Sequence, residues 1–130
     1  MVLAAAQGTD VKLYVSTFYQ EGGSPEFDDG IKAWLNEDST AMTNNGGNDT
    51  IAAVTAMGYD AYYVALEALK AAGSPDPAAV KAALPGVTYT GVTGDIAFDD
   101  IGDAIRDTAY IKVADTANNA WALETMQKAG

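Results

Sequence analysis

The sequence contains no cysteine and no histidine among its 130 residues. The chain therefore cannot form a disulfide, supply a thiolate nucleophile, build a zinc site of the usual kind or carry a Ser-His-Asp triad. The lack of cysteine does not identify the redox compartment, although it is compatible with export. We predict a protein that is not an enzyme, with no catalytic residue, no metal site and no cofactor.

Positive charge is also scarce. Only 7 Lys and Arg residues oppose 18 Asp and Glu residues, so the formal net charge is −11. Such a surface repels phosphate backbones and anionic lipids, and we therefore expect no nucleic acid and no membrane-surface partner. Acidic surfaces also keep proteins soluble, and a plain solvated surface is the simpler interpretation of this charge.

Long apolar runs are absent, since no run approaches the roughly 20 residues that cross a bilayer. Residues 1–6 are apolar, but they are too few for a signal peptide and lack a basic leading segment. The signal of an exported parent would lie outside this sequence. With 48% hydrophobic and 19% charged residues, the chain is globular and long enough for one modest core.

The first part of the chain combines one strand signal with helix signals. Residues 13–18 are rich in aromatic and β-branched side chains, which predicts a strand. Residues 2–6 are typical of the last turn of a helix. Ser24 and Pro25 open a second helix, with apolar residues at helical spacing: Phe27, Ile31, Trp34 and Leu35. The polar residues 36–48 after it predict a long loop.

The longest helix is predicted to run from a cap at Asp49 or Thr50 to Ala72, with Gly73 as its stop. Its apolar stripe consists of Ile51, Val54, Gly58, Ala61, Ala65 and Leu69. Because many of these residues are small, we expect this stripe to pack closely on a broad, flat surface such as a sheet. A wetter face carries Asp60, Tyr63, Glu67 and Lys70.

Beyond a short helix opened by residues 74–77, the hydrophobic period changes from 3.6 to 2. Residues 87–90, 95–98 and 109–113 predict short strands between glycine-rich turns, and residues 121–124 are compatible with one more. The result is an α/β chain with too few strands to cover its helices. Either a second chain completes the sheet, or part of the domain lies outside this sequence.

Two blocks of sequence resemble a known family. The first is GYDAYYVALEALKAAG at residues 58–73, and the second is GVTGDIAFDDIGD at residues 91–103, followed by AYIKV at residues 109–113. Together with residues 13–19 and the helix at Pro25, they resemble the C-terminal third of the type I periplasmic binding proteins of branched-chain amino acid ABC transporters. The resemblance covers nearly the whole chain.

The resemblance implies that residues 1–130 are a single partial domain. It would be part of one lobe of a type I periplasmic-binding-protein fold, with helices packed on an incomplete sheet and C-terminal β-hairpin strands. Family members have two lobes joined by three crossover strands, and residues 13–18 and 109–113 would lie near two of these. The parent would be periplasmic or extracellular and membrane-associated, and would deliver a small amino acid to a permease.

The resemblance also makes five residues candidates for ligand contact: Phe18, Tyr19, Val54, Thr55 and Tyr59. The groups that hold the carboxylate and the ammonium of the amino acid in the family lie outside this chain, so these five would contact its side chain. Core packing is the simpler interpretation of Phe18 and Tyr59. A hydroxyl bonded to its own helix backbone is the simpler interpretation of Thr55.

The acidic segment at residues 99–103 invites comparison with a calcium loop. Such a loop needs oxygens at alternating positions and a closing bidentate Glu, and this segment has neither. A hairpin turn with solvated carboxylates is the better prediction. Asp95, after Gly94, likewise indicates turn chemistry and not a general base.

Two functions therefore stay open, with a third far behind them. A piece of an amino-acid receptor would respond to its ligand, whereas an assembly domain that self-associates would form an oligomer that ignores amino acids. Hydrolase activity is the weakest hypothesis, because no carboxylate spacing singles out an acid and a base.

Overall fold

The computed structural model describes residues 2–128 and divides into two compact units. The first unit comprises residues up to 20 and from 107 onward, and the second comprises residues 21–106. The elements in chain order are α1 (Val2–Ala6), β1 (Tyr14–Thr17), α2 (Pro25–Glu37), α3 (Ser39–Asn44), α4 (Ala53–Ala72), α5 (Pro77–Ala83), β2 (Tyr89–Gly91), β3 (Gly94–Phe98), β4 (Ala104–Ile105), β5 (Thr108–Asp115) and β6 (Ala120–Lys128). The α/β class is confirmed, and the strands form two small antiparallel sheets.

In the first unit the sheet has the order β1-β5-β6 and is antiparallel throughout. Tyr14 lies opposite Val113, and a bulge interrupts the β5–β6 ladder between Ile111 and Lys112. Each predicted strand is confirmed with shifted ends. Strands β5 and β6 are longer than predicted, because their pairing extends the ladder beyond the apolar residues that mark them in the sequence.

The turn between β5 and β6 is fixed by local side-chain bonds. Asn118 donates to the Asp115 carboxylate from its backbone N at 3.1 Å and from its Nδ2 at 2.7 Å. These bonds lower the pKa of Asp115, since they favour the ionised form. Asn119 has φ +52°, a left-handed conformation that asparagine tolerates better than most residues. The turn residues therefore set the hairpin by chemistry that is local in sequence.

The second unit has its core where α4 meets the β2–β3 hairpin. The buried residues at this contact are Val64, Ala68, Val87 and Ile96, and the half-buried residues packed against them are Val80, Leu84, Tyr89 and Phe98. The strands form a sheet of order β2-β3-β4, in which Gly91 lies opposite Gly94. The short strand β4 was not predicted. A strand of two residues leaves no periodic pattern to detect.

The predicted loop over residues 36–48 is wrong, because α2 continues to Glu37 and α3 follows at once. Asp38 separates the two helices and caps α3, accepting from the backbone N of Thr40 at 2.8 Å and of Ala41 at 3.0 Å. Ala41 is buried, so tertiary packing stabilises this short polar helix. The segment was predicted as a loop because it is polar, although Asp38 is a residue type that commonly caps a helix.

The predicted cap of α4 at Asp49 or Thr50 is also wrong, since the helix begins at Ala53. Asn45 Nδ2 donates to the carbonyls of Asn48 and Thr50, which holds this stretch as a loop. The predicted end is confirmed: Gly73 follows Ala72 in the left-handed conformation, with φ +61°.

The buried face of α4 differs from the predicted stripe. The buried residues repeat every four positions: Ala56, Asp60, Val64 and Ala68. Of the predicted stripe, Ile51 is buried, but Val54 is 74% exposed and Leu69 41% exposed. Asp60, assigned to a wetter face, is only 1% exposed. The buried face of α4 was predicted wrongly for one reason. A carboxylate whose hydrogen-bond partners are distant in the sequence is expected to lie at the surface, whereas Asp60 is buried.

Those partners lie in the turn between β2 and β3. Asp60 Oδ1 accepts from the backbone N of Val92 at 2.8 Å, and Oδ2 accepts from the backbone N of Thr93 at 2.8 Å and its Oγ1 at 2.5 Å. A buried carboxylate is tolerated when such donors surround it. Gly91 permits the approach, because a Cβ there would overlap the carboxylate. Helix α4 and the β2–β3 hairpin are thus joined by one polar contact.

Replacing Gly91 by Ala should lower the free energy of unfolding by about 2 kcal/mol, because the added methyl group must displace the Asp60 carboxylate from its donors. Urea unfolding followed by circular dichroism measures the change. Gly86→Ala is the matched control, since a Cβ at Gly86 meets open space and its φ is not in the left-handed region. Equal stability of the two variants would contradict the account of this contact.

Candidate functional site

The structure places the five candidate ligand-contact residues in both units. In the first unit, Phe18 and Tyr19 directly follow β1. Phe18 is 42% exposed, whereas Tyr19 is only 3% exposed. A ring that is only 3% exposed packs in the core. Core packing, which was the simpler interpretation of Phe18, therefore describes Tyr19 better than Phe18.

The other three candidates lie on α4 in the second unit. Val54 and Thr55 are in its first turn and Tyr59 is about one turn further along. Val54 is 74% exposed, Tyr59 is 38% exposed and Thr55 is half-buried. These three residues therefore share one end of a single helix, and Val54 is the most exposed of its large apolar side chains.

Thr55 borders a cavity of about 240 Å³ between α2, α3 and the start of α4. Its walls include the apolar side chains of Trp34, Leu35 and Ile51 and the polar side chains of Asn44 and Asn45. This volume is below the roughly 300 Å³ at which ligand pockets begin. The cavity is large enough for a small side chain or for water.

Tyr59 borders a second cavity, of about 320 Å³, between the start of α2 and the middle of α4. Phe27, Ile31 and Val92 supply apolar walls, and Ser24 and Glu26 supply polar groups. A pocket that combines apolar walls with few polar groups has the general character of a small-molecule site. Tyr59 is thus the candidate with both an aromatic surface and a cavity beside it.

Tyr59 also belongs to a line of aromatic rings. Its ring centroid lies 4.9 Å from that of Phe27 and 5.0 Å from that of Tyr63, which in turn stacks on Tyr89 at 5.9 Å. The Tyr59 hydroxyl donates to the Tyr63 hydroxyl at 3.4 Å. This hydrogen bond, followed by desolvation, raises the pKa of Tyr59 to about 12. The phenol is thereby held in its neutral, hydrogen-bonding form.

The side of α4 that faces away from the hairpin is apolar and exposed. We call it the outer face of α4 and define it by six exposed residues: Val54, Gly58, Ala61, Tyr62, Ala65 and Leu69. The charged residues of the helix, Asp60, Glu67 and Lys70, all lie outside it. In a chain of net charge −11, an uncharged stripe of this length has the composition of a contact surface.

Within residues 2–128, no group of three or more acidic residues is placed to hold a metal ion. The acidic segment after β3 is a turn, as predicted: Asp99 Oδ1 accepts from the backbone N of Ile101 at 3.0 Å and of Asp103 at 2.9 Å. Asp95 accepts from Thr90 Oγ1 at 2.7 Å across the hairpin. In the same described range, no helix has the length and apolarity required to span a membrane.

Comparison with known proteins gives consistent results. A family model described as periplasmic binding protein matches residues 1–118. A leucine binding protein from Thermotoga maritima, solved by crystallography, matches 95% of this chain at 25% sequence identity with a TM-score of 0.66. The match covers 32% of that protein, so this chain spans about a third of its length. No curated protein matches the chain.

The pKa of Tyr59 can be tested by replacing its acceptor. In Tyr63→Phe the hydrogen bond is lost, so the pKa of Tyr59 should fall from about 12 back toward 10. Titration of ¹³Cζ-labelled tyrosine by NMR measures it. Tyr62→Phe is the control, because Tyr62 contacts the Tyr63 ring without this bond; an unchanged pKa in Tyr63→Phe would refute the assignment.

The same raised pKa has a consequence for stability. Between about pH 10 and pH 12 the unfolded chain releases the Tyr59 proton while the folded chain retains it. The folded state is therefore expected to lose stability as the pH rises through this window, and to lose less of it in Tyr63→Phe.

Proposed function

Because the chain belongs to the periplasmic binding protein family, we propose that it is part of a solute-binding protein whose parent captures a branched-chain amino acid between two lobes and delivers it to an ABC permease. The family match over residues 1–118 carries this proposal. The leucine binding protein of similar fold supports the choice of ligand class. Residues 1–130 would then form one partial domain of the parent.

The family and the solved relative are described as binding proteins, and we propose that this chain is a binding protein and not an enzyme. The family is periplasmic. Association of the parent with the membrane, through its permease, is part of the proposal. The proposal also includes the absence of a cofactor and of a nucleic acid partner.

Val54 is the residue that we propose as the main ligand contact of this chain. An apolar side chain that is 74% exposed in the first turn of α4 gains most from burial against an aliphatic ligand. Thr55 and Tyr59 would contribute a hydroxyl and an aromatic edge from the same helix end. Phe18, which is 42% exposed, is a further proposed contact, whereas Tyr19, at 3%, is expected to pack as core.

In the full-length parent, we expect leucine to bind and Val54→Ala to weaken it roughly tenfold, because two methyl groups are lost from the contact. Isothermal titration calorimetry measures both affinities. Ile101→Ala is the matched control, since Ile101 is also exposed and apolar, at 84%, but lies in the acidic turn. Absence of amino-acid binding would contradict the proposed function, whereas an unchanged affinity in Val54→Ala would contradict only the role of Val54.

A second candidate function is a domain that self-associates and has no small-molecule ligand of its own. The observation that favours it is the outer face of α4, which is apolar, uncharged and exposed. A second copy of the chain could cover this face, although a net charge of −11 on each copy opposes the encounter. Added salt would screen that repulsion and strengthen the association.

We expect this chain by itself to form an oligomer that strengthens with salt and that gains no mass from leucine, isoleucine or valine. Native mass spectrometry and analytical ultracentrifugation measure both properties. Leu69→Glu, which places a charge on the outer face of α4, should shift the equilibrium to monomer, whereas Ile101→Glu should not. A monomer that binds one amino acid with micromolar affinity would contradict this expectation.

A further inference from the structure

The cavity beside Tyr59 has a lining that the capture of an amino acid does not explain. We call it the Tyr59 cavity; it lies within the second unit, between α2 and α4, and has a volume of about 320 Å³. Among the described residues that line it, Glu26 is the one with a charged side chain, and none is basic. Val54 and Thr55, the other proposed ligand contacts on α4, are not among them. The cavity is therefore a candidate for a ligand of its own.

Two aromatic rings form adjacent walls of the Tyr59 cavity. The ring centroids of Phe27 and Tyr59 are 4.9 Å apart, and the two ring planes are inclined at 56°. Phe27 is only 6% exposed, so Tyr59, at 38%, presents the more accessible ring. The Tyr59 hydroxyl is bonded to the Tyr63 hydroxyl at 3.4 Å. The ring of Tyr59, more than its hydroxyl, is thus available to a ligand in the cavity.

The Tyr59 ring is suited to a positively charged ligand. The face of an aromatic ring carries partial negative charge and attracts a cation that lies within about 6 Å of its centroid. The hydrogen bond with Tyr63, followed by desolvation, raises the pKa of Tyr59 to about 12, and the negative charge of Glu26 acts in the same direction. Glu26 is therefore close enough to influence Tyr59 through its charge.

Glu26 adds a negative charge at the exposed rim of the cavity. It is exposed and lies in the first turn of α2. The N-terminal end of a helix carries a partial positive charge of about half a unit, which by itself favours an anion. The carboxyl groups of Glu26 and Asp28, both in this first turn, oppose that preference. The rim of the cavity is consequently unfavourable for an anion.

Basic side chains on neighbouring elements are bound to other groups. Lys32, on α2, pairs with Glu21, with 2.7 Å between Nζ and Oε2. Arg106 donates from Nη1 to Thr93 Oγ1 at 3.0 Å, and that hydroxyl donates to the buried Asp60 at 2.5 Å. Each of these cations therefore has an acidic partner, either directly or through Thr93. The negative charge at the cavity rim remains available to a ligand.

We propose that the Tyr59 cavity binds a small organic cation of the quaternary ammonium class, held between the ring of Tyr59 and the carboxylate of Glu26. The apolar side chains of Ile31 and Val92 suit the methyl groups that surround such a nitrogen. A ligand with its own carboxylate or phosphate beside the cation is repelled by Glu26. The site therefore goes beyond the proposed function, since a free amino acid presents such a carboxylate.

The role of charge can be tested with choline and with 3,3-dimethylbutan-1-ol, a neutral alcohol in which carbon replaces the choline nitrogen. The backbone amides of Gly30 and Val92, which line the cavity, report binding to the ¹⁵N-labelled chain by NMR. We expect choline to shift both signals and to reach saturation at millimolar concentrations. The neutral alcohol should bind roughly fivefold more weakly, because it lacks the charge that the ring and the carboxylate attract.

Two variants separate the contributions of the carboxylate and the ring. Glu26→Gln removes the charge and keeps the side-chain size, whereas Tyr59→Leu removes the aromatic face and keeps an apolar side chain. Each should weaken choline binding roughly fivefold. Asp29→Asn is the matched control, because Asp29 is exposed on the same helix but is not among the described lining residues. It removes one negative charge as Glu26→Gln does, and it should leave the affinity unchanged.

Absence of choline binding, or equal affinity for choline and the neutral alcohol, would overturn the proposal. So would an unchanged affinity in folded Glu26→Gln, or an equal loss in Asp29→Asn, which would indicate general attraction of cations to an acidic chain. Circular dichroism checks that each variant is folded, and Glu26→Gln decides the result if Tyr59→Leu does not fold. No amino acid is present, so failure of this site is distinguishable from failure of leucine binding, which calorimetry on the full-length parent tests separately.

Discussion

The buried carboxylate of Asp60 is the contact on which the second unit depends. It joins the longest helix to the β2–β3 hairpin, and its donors, the backbone N–H groups of Val92 and Thr93 and the Thr93 hydroxyl, come from one tight turn. Gly91 is required beside it because no Cβ fits there. The apolar core of Val64, Ala68, Val87 and Ile96 is built on the same two elements. One polar contact thus sets the register in which the apolar residues meet, since a buried charge tolerates few arrangements of its donors.

That contact also decides which side of α4 remains exposed. Once Asp60 points to the hairpin, the outer face of α4 points away from it, and its residues carry no charge. The hydrophobic effect favours covering such a face, and the two candidate functions differ in what covers it: the rest of a longer binding protein, or a second copy of this chain. The match to a third of the length of a leucine binding protein favours the first.

Glu21 and Arg106, the first and last residues of the second unit, extend this organisation. Arg106 reaches Thr93 and, through it, Asp60, whereas Glu21 reaches Ile51 and Lys32. The candidate ligand contacts lie near the same elements: Phe18 and Tyr19 precede Glu21, and Val54 and Thr55 follow Ile51.

The sequence by itself determined the α/β class, the family, each predicted strand, the Gly73 end of α4 and the turn chemistry of Asp99, whereas Asp95, also predicted to act in a turn, lies in β3 and bonds across the strands to Thr90. All of these depend on residues close together in the chain, where spacing, caps and turn residues act directly. Only the tertiary structure decided that Asp60 is buried, that the outer face of α4 is exposed and that residues 39–44 are helical. The partners of Asp60 lie 32 and 33 residues away, and no local pattern encodes such a pairing. Periodicity identified the apolar stripe of α4 but not the direction in which it faces. That direction is set by the hydrogen bonds of Asp60, the buried charge of the helix, with the β2–β3 turn.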